Sequence, residues 1–137
     1  MKQIFINLPV KDVEASQNFY IELGFVVNPL FTFYDQKCMV WSAQIYIMLQ
    51  SYDMFKSGNK KNLPDPATNT IATFTLPVEN IQKLNEIIEN GLKAGGNETT
   101  PLIDEGFMVI RNIEDLDGHN WGIICLDIDK FKELRGK

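Results

Sequence analysis

The side chains that could perform acid–base or nucleophilic chemistry are few in this 137-residue chain. There is one histidine, His119, and there are two cysteines, Cys38 and Cys125. A lone histidine directly after a glycine is typical of a hairpin residue, although an imidazole there could also act as a general base. We expect no basic partner to activate either cysteine. Any Ser-His-Asp catalytic triad would have to use His119, because the chain has no other histidine. The sequence therefore predicts no catalytic residue and two buried, reduced thiols rather than a disulfide or a metal site.

Arg111 is a cation inside an otherwise apolar run of residues. Its side chain could extend to solvent, or it could pair with a carboxylate such as Glu114. An anionic ligand is a third interpretation, since a guanidinium binds carboxylate and phosphate groups well. The first two interpretations need nothing beyond the chain itself.

A repeated segment organises the elements that must position these groups. Residues 7–12 read Asn-Leu-Pro-Val-Lys-Asp, and half a chain later residues 75–80 read Thr-Leu-Pro-Val-Glu-Asn. In both copies an apolar run reaches an Asp or Asn, residue types that cap helices well. A helix-period pattern follows each one. The repeat predicts two copies of one unit that begins with a strand and continues as a helix.

Each copy continues with runs that predict three further strands. The first module spans residues 1–51, with strands at 2–10, 25–34, 38–42 and 45–51, a helix at 13–23 and a turn at 35–37. Residues 52–69 are rich in Gly, Asn, Lys and Pro and are interpreted as a linker. The second module spans residues 70–127, with strands at 70–78, 97–102, 107–113 and 119–127 and a helix at 81–94. Residues 128–137 hold a short final helix. The fold class is α+β, a single domain of two βαβββ modules.

Composition excludes several classes of function. With 45% hydrophobic and 23% charged residues the chain resembles an ordinary globular protein, and no apolar run could span a bilayer. A formal net charge of −5 disfavours binding to nucleic acid. The N-terminus lacks the pattern of a signal peptide. We therefore expect a cytoplasmic protein without membrane or nucleic-acid partners.

The order and spacing of these features resemble the vicinal oxygen chelate superfamily over nearly the whole chain. That superfamily includes glyoxalase I, bleomycin resistance proteins, fosfomycin-modifying enzymes and extradiol dioxygenases. The chain looks most similar to the branch described as lactoylglutathione lyase-like or glyoxalase/bleomycin resistance protein. Besides the paired modules, three motifs carry the resemblance: Leu-Pro-Val-Lys-Asp at 8–12, Ser16-x-x-Phe19-Tyr20-x-x-Leu23-Gly24-Phe25, and Asp115-Leu116-Asp117-Gly118-His119-x-Trp121.

The resemblance implies curled mixed sheets around a concave cavity, in which enzymes of the superfamily hold a divalent metal through four side chains. The equivalent positions here are Phe5, Met48, Thr73 and Gly122. None of these residues is a credible ligand for a divalent transition metal, which prefers imidazole, carboxylate or thiolate groups. The resemblance therefore predicts a branch without the metal ligands, with no metal and no cofactor.

The same positions imply which residues line the cavity. Side chains two residues apart share a face of a strand, so the cavity should take the alternate residues on either side of these four. The predicted lining combines aromatic, thioether, amide and hydroxyl groups: Phe5, Asn7, Tyr46, Met48, Gln50, Ile71, Thr73, Thr75, Asn112, Asn120 and Gly122. Trp121 has the opposite parity and is predicted to lie in the core beneath a helix.

Two classes of function fit this sequence best. The first is metal-free binding of a small organic molecule in the concave cavity. The alternative is a metal-dependent enzyme, either a lactoylglutathione lyase-like lyase or a dioxygenase, in which other residues hold the metal. A third possibility is a filled cavity in a protein that acts through protein contacts alone. By resemblance, and because residues 25–34 are strongly apolar, we also expect a homodimer.

Overall fold

The computed structural model describes residues 1–136 and divides them into two compact units, Met1–Asn69 and a second unit that begins at Thr70. Each unit is built on one four-stranded sheet. Within residues 1–136, no helix is both long enough and apolar enough to cross a membrane.

The first unit has the element order strand, helix, strand, strand, strand. Its elements are β1 (Ile4–Val10), α1 (Val13–Leu23), β2 (Val26–Val27), a 3₁₀ turn (Pro29–Phe31), β3 (Gln36–Val40), β4 (Ile45–Ser51) and α2 (Tyr52–Ser57). The sheet order is β1-β4-β3-β2, with β1 parallel to β4 and the other pairs antiparallel. Helix α1 packs on β2, β3 and β4.

The second unit repeats this topology. Its elements are β5 (Thr73–Val78), α3 (Ile81–Lys93), β6 (Ile103–Asp104), β7 (Met108–Glu114), β8 (Asn120–Leu126) and α4 (Ile128–Arg135). The sheet order is β5-β8-β7-β6, and β5 runs parallel to β8. The predicted fold class, α+β with two βαβββ modules, is confirmed.

The repeated segment performs the same two tasks in each unit. The Asp12 carboxylate accepts a hydrogen bond from the Ala15 backbone N–H at 3.0 Å, and the Asn80 side chain accepts one from Lys83 N–H at 2.7 Å. Both residues are therefore helix N-caps, as predicted. The prolines of the two segments, Pro9 and Pro77, lie in β1 and β5, which are end strands of their sheets. An end strand tolerates a missing N–H donor better than a central strand does.

One face of each sheet forms a core against its helix. In the first unit the buried apolar residues of this layer are Leu8, Val10, Met39, Ile47 and Leu49 of the sheet with Phe19, Tyr20 and Leu23 of α1. In the second they are Leu76, Val109, Ile113, Trp121 and Ile123 of the sheet with Leu84, Ile87 and Ile88 of α3. Fully burying one large aliphatic side chain contributes about 1.5–3 kcal/mol, so these layers stabilise each unit. Trp121 is fully buried, which confirms its predicted place in the core.

The predicted turn at residues 35–37 is only partly correct: the turn lies at Tyr34 and Asp35, whereas Gln36 and Lys37 begin β3 and are buried. Lys37 pairs with Leu49 in the sheet and faces α1. Its ammonium lies 2.7 Å from the carboxylate of Glu14 in that helix. The stem of the lysine is thus covered while the charged end reaches a partner at the surface.

Two of the predicted strands differ from the structure. Of residues 25–34 only Val26–Val27 forms a strand, because the Asn28 side chain caps a 3₁₀ turn through Leu30 N–H at 3.0 Å. β2 is an end strand of its sheet. Residues 97–102 do not form a strand. Asn97 makes an isolated bridge to Glu114, and β6 begins later, at Ile103.

Candidate functional site

The sheet face opposite α1 carries the predicted lining residues of the first unit. Strand pairing places Phe5 beside Tyr46 and Asn7 beside Met48 on the neighbouring parallel strands β1 and β4. Partners in a parallel ladder point to the same side of a sheet, so these four residues share one face. Gln50 lies two residues beyond Met48 and belongs to the same face. We call it the open face of the first unit.

Phe5 and Tyr46 form a stacked aromatic pair on this open face. Their ring centroids are 4.5 Å apart and their planes differ by 10°. The Gln3 side-chain amide donates to the Tyr46 hydroxyl at 3.3 Å and to the Ala43 carbonyl at 2.9 Å, which fixes the tyrosine ring. Phe5 is 47% exposed, although it is a large apolar residue in a strand. A flat apolar surface therefore remains accessible on this face.

Gln50 has a structural partner that the sequence did not reveal. Its amide N–H donates to the Gln36 side-chain oxygen at 2.8 Å, and the Gln36 amide donates in turn to the Phe31 carbonyl at 3.0 Å. Both glutamines are buried. Sequence reasoning missed Gln36 because it placed that residue in a turn. This relay anchors the 3₁₀ turn to the sheet and commits Gln50 to an internal hydrogen bond.

Cys38 shares the open face, since it pairs with Met48 in the ladder between β3 and β4. Burial raises the pKa of the Cys38 thiol. Although Lys37 precedes it in the chain, strand alternation turns that ammonium toward α1, where it pairs with Glu14. Cys38 is therefore a buried, protonated thiol, as predicted. Cys125 is also a free thiol, but it is only half-buried.

The open face of the second unit is a polar grid across three strands. One row pairs Thr73 with Asn120 and Asn120 with Glu114, and the next row pairs Thr75 with Gly122 and Gly122 with Asn112. The Asn120 amide donates to the Thr73 hydroxyl at 3.3 Å. Asn120 Oδ1 is inaccessible to solvent and has no hydrogen-bond partner within residues 1–136. Ile71, the remaining predicted lining residue, precedes β5 and is 79% exposed.

The four positions that correspond to metal ligands do not fit a divalent metal. Strand pairing puts Phe5 and Met48 on one open face, and Thr73 and Gly122 on the other. The aromatic ring and the glycine have no donor atom, and thioether and neutral hydroxyl groups are weak ligands for such ions. Among the described residues, no three His, Cys, Asp or Glu side chains are grouped so that they could hold a metal ion.

Arg111 belongs to the helix face of the second unit, opposite the grid. Its guanidinium donates to both carboxylate oxygens of Glu98 at 2.8 and 2.7 Å, to Asn85 at 3.0 Å and to Glu89 at 3.2 Å. The prediction of a carboxylate partner is correct. Glu114 as that partner is wrong, because it lies three residues along the strand and points to the other face.

The pairing of Arg111 with Glu98 changes the pKa of both groups, and it argues against the interpretation that Arg111 binds an anionic ligand. Hydrogen bonds from Arg111 lower the pKa of the Glu98 carboxyl, and the hydrogen bond to Glu98 raises the pKa of Arg111. Two carboxylates already balance this one guanidinium, so an added anion would meet net negative charge. A cleft of about 410 Å³ adjoins the cluster and is lined by Glu98, Thr99, Thr100, Pro101, Leu102 and Arg111.

His119 lies in the connection between β7 and β8, as predicted. The Asp115 carboxylate accepts hydrogen bonds at 2.9–3.0 Å from the backbone N–H groups of Asp117, Gly118 and His119. Gly118 has φ 106°, a conformation that favours glycine. The Asp-x-Asp-Gly-His motif is thus accounted for by the turn that it builds.

Comparison with known proteins gives matches over part of the sequence and over nearly all of the fold. A model described as bleomycin resistance protein-like N-terminal matches residues 2–42. A solved glyoxalase/bleomycin resistance protein/dioxygenase family enzyme from Burkholderia phytofirmans PsJN superposes with TM-score 0.76 at 10% identity, covering 92% of this chain and 99% of that one. The chain has the vicinal oxygen chelate fold. The resemblance predicted from the sequence is confirmed at this level.

Two further structures show the same fold. A glyoxalase-related enzyme from Fulvimarina pelagi aligns with TM-score 0.76 at 20% identity, covering 91% of this chain and 88% of that one. Hypothetical protein SA1046 from S. aureus aligns with TM-score 0.75 at 22% identity, covering 91% and 94%. No curated protein sequence matches the chain. At these identities the vicinal oxygen chelate fold is shared, while substrates and chemistry are not transferred.

Proposed function

We propose that this chain is a glyoxalase/bleomycin resistance-like protein that binds a small organic molecule without a metal, using the open faces of its sheets. The observation that supports this best is the shared parity of the predicted lining residues. In each ladder these residues point away from the helices, while the opposite face forms the core. Faces that mix aromatic, thioether, amide and hydroxyl groups are typical of small-molecule sites.

Binding, rather than metal-assisted catalysis, is favoured by the residues at the four ligand positions. Phe5, Met48, Thr73 and Gly122 offer no ionised group and no imidazole. A site of this composition would not offset the dehydration of a divalent ion. A lactoylglutathione lyase-like lyase or a dioxygenase would need ligands from elsewhere in the chain.

We also propose a homodimer, on the basis of exposed apolar residues in and beside the 3₁₀ turn. Val26, Leu30, Phe33 and Tyr34 are 54–87% exposed. Clustered exposed side chains of this size are typical of protein interfaces, and a second copy is an economical partner.

A thermal-shift screen of small organic molecules, run with and without added divalent metals, tests the binding proposal. We expect ligands whose stabilisation is independent of metal and is retained in EDTA. Elemental analysis of the purified protein provides the independent arm. One Ni, Zn, Fe or Mn per chain, or stabilisation that appears only with metal, would overturn the proposal in favour of the metal-dependent enzyme.

A further inference from the structure

The grid on the open face of the second unit has a gap where a side chain is missing. Gly122 occupies the central position of one row, between Thr75 on β5 and Asn112 on β7. A Cβ atom built on Gly122 would lie 3.2 Å from both Asn112 Oδ1 and Thr75 Oγ1, and 3.3 Å from Ile110 Cδ1. These distances are shorter than ordinary van der Waals contacts, so the gap is narrow and is bounded by these three side chains. We call this gap, with its neighbours Thr73, Thr75, Asn112, Glu114 and Asn120, the Gly122 hollow.

The hollow is supplied with oxygen acceptors that the protein does not use. Thr75 and Asn112 make no side-chain hydrogen bond to another protein group in the part of the chain that the structure describes. In the adjoining row, the buried Asn120 Oδ1 is likewise without a partner. That atom is inaccessible to solvent, so the oxygens open to a ligand are those of Thr75 and Asn112.

The charge on this face has one sign. Glu114 is the single ionisable residue on the open faces of β5, β7 and β8. The residues on these faces are Thr73, Thr75 and Pro77 of β5, Met108, Ile110, Asn112 and Glu114 of β7, and Asn120, Gly122, Ile124 and Leu126 of β8. Glu114 stands directly across the ladder from Asn120. A carboxylate beside uncompensated amide and hydroxyl oxygens favours a cationic hydrogen-bond donor over an anion.

We infer that the Gly122 hollow binds the ammonium end of an amine-bearing ligand. Its N–H groups would be shared between the oxygens of Thr75 and Asn112, with Glu114 supplying the opposite charge. Ile110 and Ile124 continue the same face beyond the gap and offer an apolar surface to the carbon skeleton of the amine. This inference rests on the proposed small-molecule function and specifies the chemical class of its ligand.

Three probes of equal chain length test it by NMR on the ¹⁵N-labelled full-length chain: butylamine, butanol and butyrate at neutral pH. We expect butylamine to shift the Gly122 backbone amide and the side-chain amides of Asn112 and Asn120, while butanol and butyrate leave them in place. Glu114→Gln should weaken butylamine binding roughly tenfold, since it removes one charge-assisted interaction. Glu86→Gln, the same change on the exposed side of α3, is the matched control and should have no effect.

Gly122→Ala tests whether the ligand occupies the space above the glycine in the Gly122 hollow. Gly122 does not have positive φ, so alanine can adopt its backbone conformation. Its methyl group would lie 3.2–3.3 Å from side-chain atoms of Asn112, Thr75 and Ile110, which must move by a few tenths of an ångström to admit it. We expect a folded protein whose new methyl group abolishes the butylamine shifts. Equal shifts with all three probes, stronger binding of butyrate, unchanged affinity in Glu114→Gln, or no shift at Gly122 with millimolar butylamine would each overturn the inference.

These experiments distinguish failure of the ammonium site from failure of the proposed small-molecule binding. A screen that yields metal-independent ligands whose binding leaves Gly122 unshifted would refute the ammonium site and retain the binding protein. A screen without any ligand would refute the binding protein. Should Gly122→Ala fail to fold, Glu114→Gln and its control still decide the inference.

Discussion

Replacing Arg111 by methionine should destabilise the second unit strongly. The arginine side chain is 13% exposed and that of its main partner, Glu98, is 20% exposed. Removing one member of a fully buried ion pair costs about 3–5 kcal/mol, because the other charge is left uncompensated. Since water can reach part of Glu98, and Glu89 is 55% exposed, we expect a loss of about 2–3 kcal/mol in the free energy of unfolding. Methionine preserves most of the apolar stem.

The loss should depend on pH in a direction set by Glu98. Arg111 lowers the pKa of that carboxyl in the folded protein. A depressed folded-state pKa gives stability that is present above the unfolded value of about 4.3 and is lost as the pH falls through the folded value. The raised pKa of Arg111 has no effect here, because the guanidinium stays charged throughout. The stability difference between wild type and Arg111→Met should therefore be larger at pH 7 than at pH 3.

Urea unfolding followed by tryptophan fluorescence measures this difference. In a Trp41→Phe background, the remaining indole is Trp121, which is fully buried in the second unit. Arg135→Met is the matched control, because Arg135 is exposed in α4. A loss at pH 7 no greater than that of Arg135→Met, or a difference that does not shrink at pH 3, would refute the reasoning.

Three other outcomes are expected. Asn80→Ala should lower stability by about 1 kcal/mol by removing the cap of α3, as urea unfolding would show, whereas an unchanged midpoint would argue against the cap. Light scattering should give twice the chain mass at micromolar concentration, and a persistent monomer near 15.7 kDa would exclude the homodimer. Thr73→Trp should remain folded, since Thr73 is exposed, yet lose the ligands found in the screen, with stability changed by about 1–3 kcal/mol. Loss of folding in Thr73→Trp, with Thr73→Val tolerated, would favour a filled cavity.

Local signals in the sequence account for much of the fold. The Leu-Pro-Val blocks, the caps at Asp12 and Asn80 and the closing Gly24 are each decided by residues within a few positions of one another. The boundaries of α1 follow from them as predicted, and those of β4 follow from its own apolar run. Strand alternation also assigned the open face correctly for Phe5, Asn7 and Tyr46. These features depend on period and capping, which a sequence displays directly.

The wrong predictions concern residues whose conformation and contacts depend on partners far away in the sequence. Gln36 and Lys37 resemble turn residues, yet their polar ends meet Gln50 and Glu14 across the unit. The partners of Arg111 lie on α3 and before β6, which proximity along the strand could not reveal. Alternation did contain a signal against Glu114, because residues three apart on a strand point to opposite faces. Which acceptors remain unsatisfied around Gly122 depends on the packed side chains of three strands.

The prolines of the repeated segment also affect how each sheet meets other chains. An end strand with a complete row of N–H groups can template the addition of another strand, which is how many sheets aggregate or form fibres. Pro9 and Pro77 interrupt that row in β1 and β5. One short block thus leads the chain into a helix and also makes the neighbouring edge a poor surface for fibril growth.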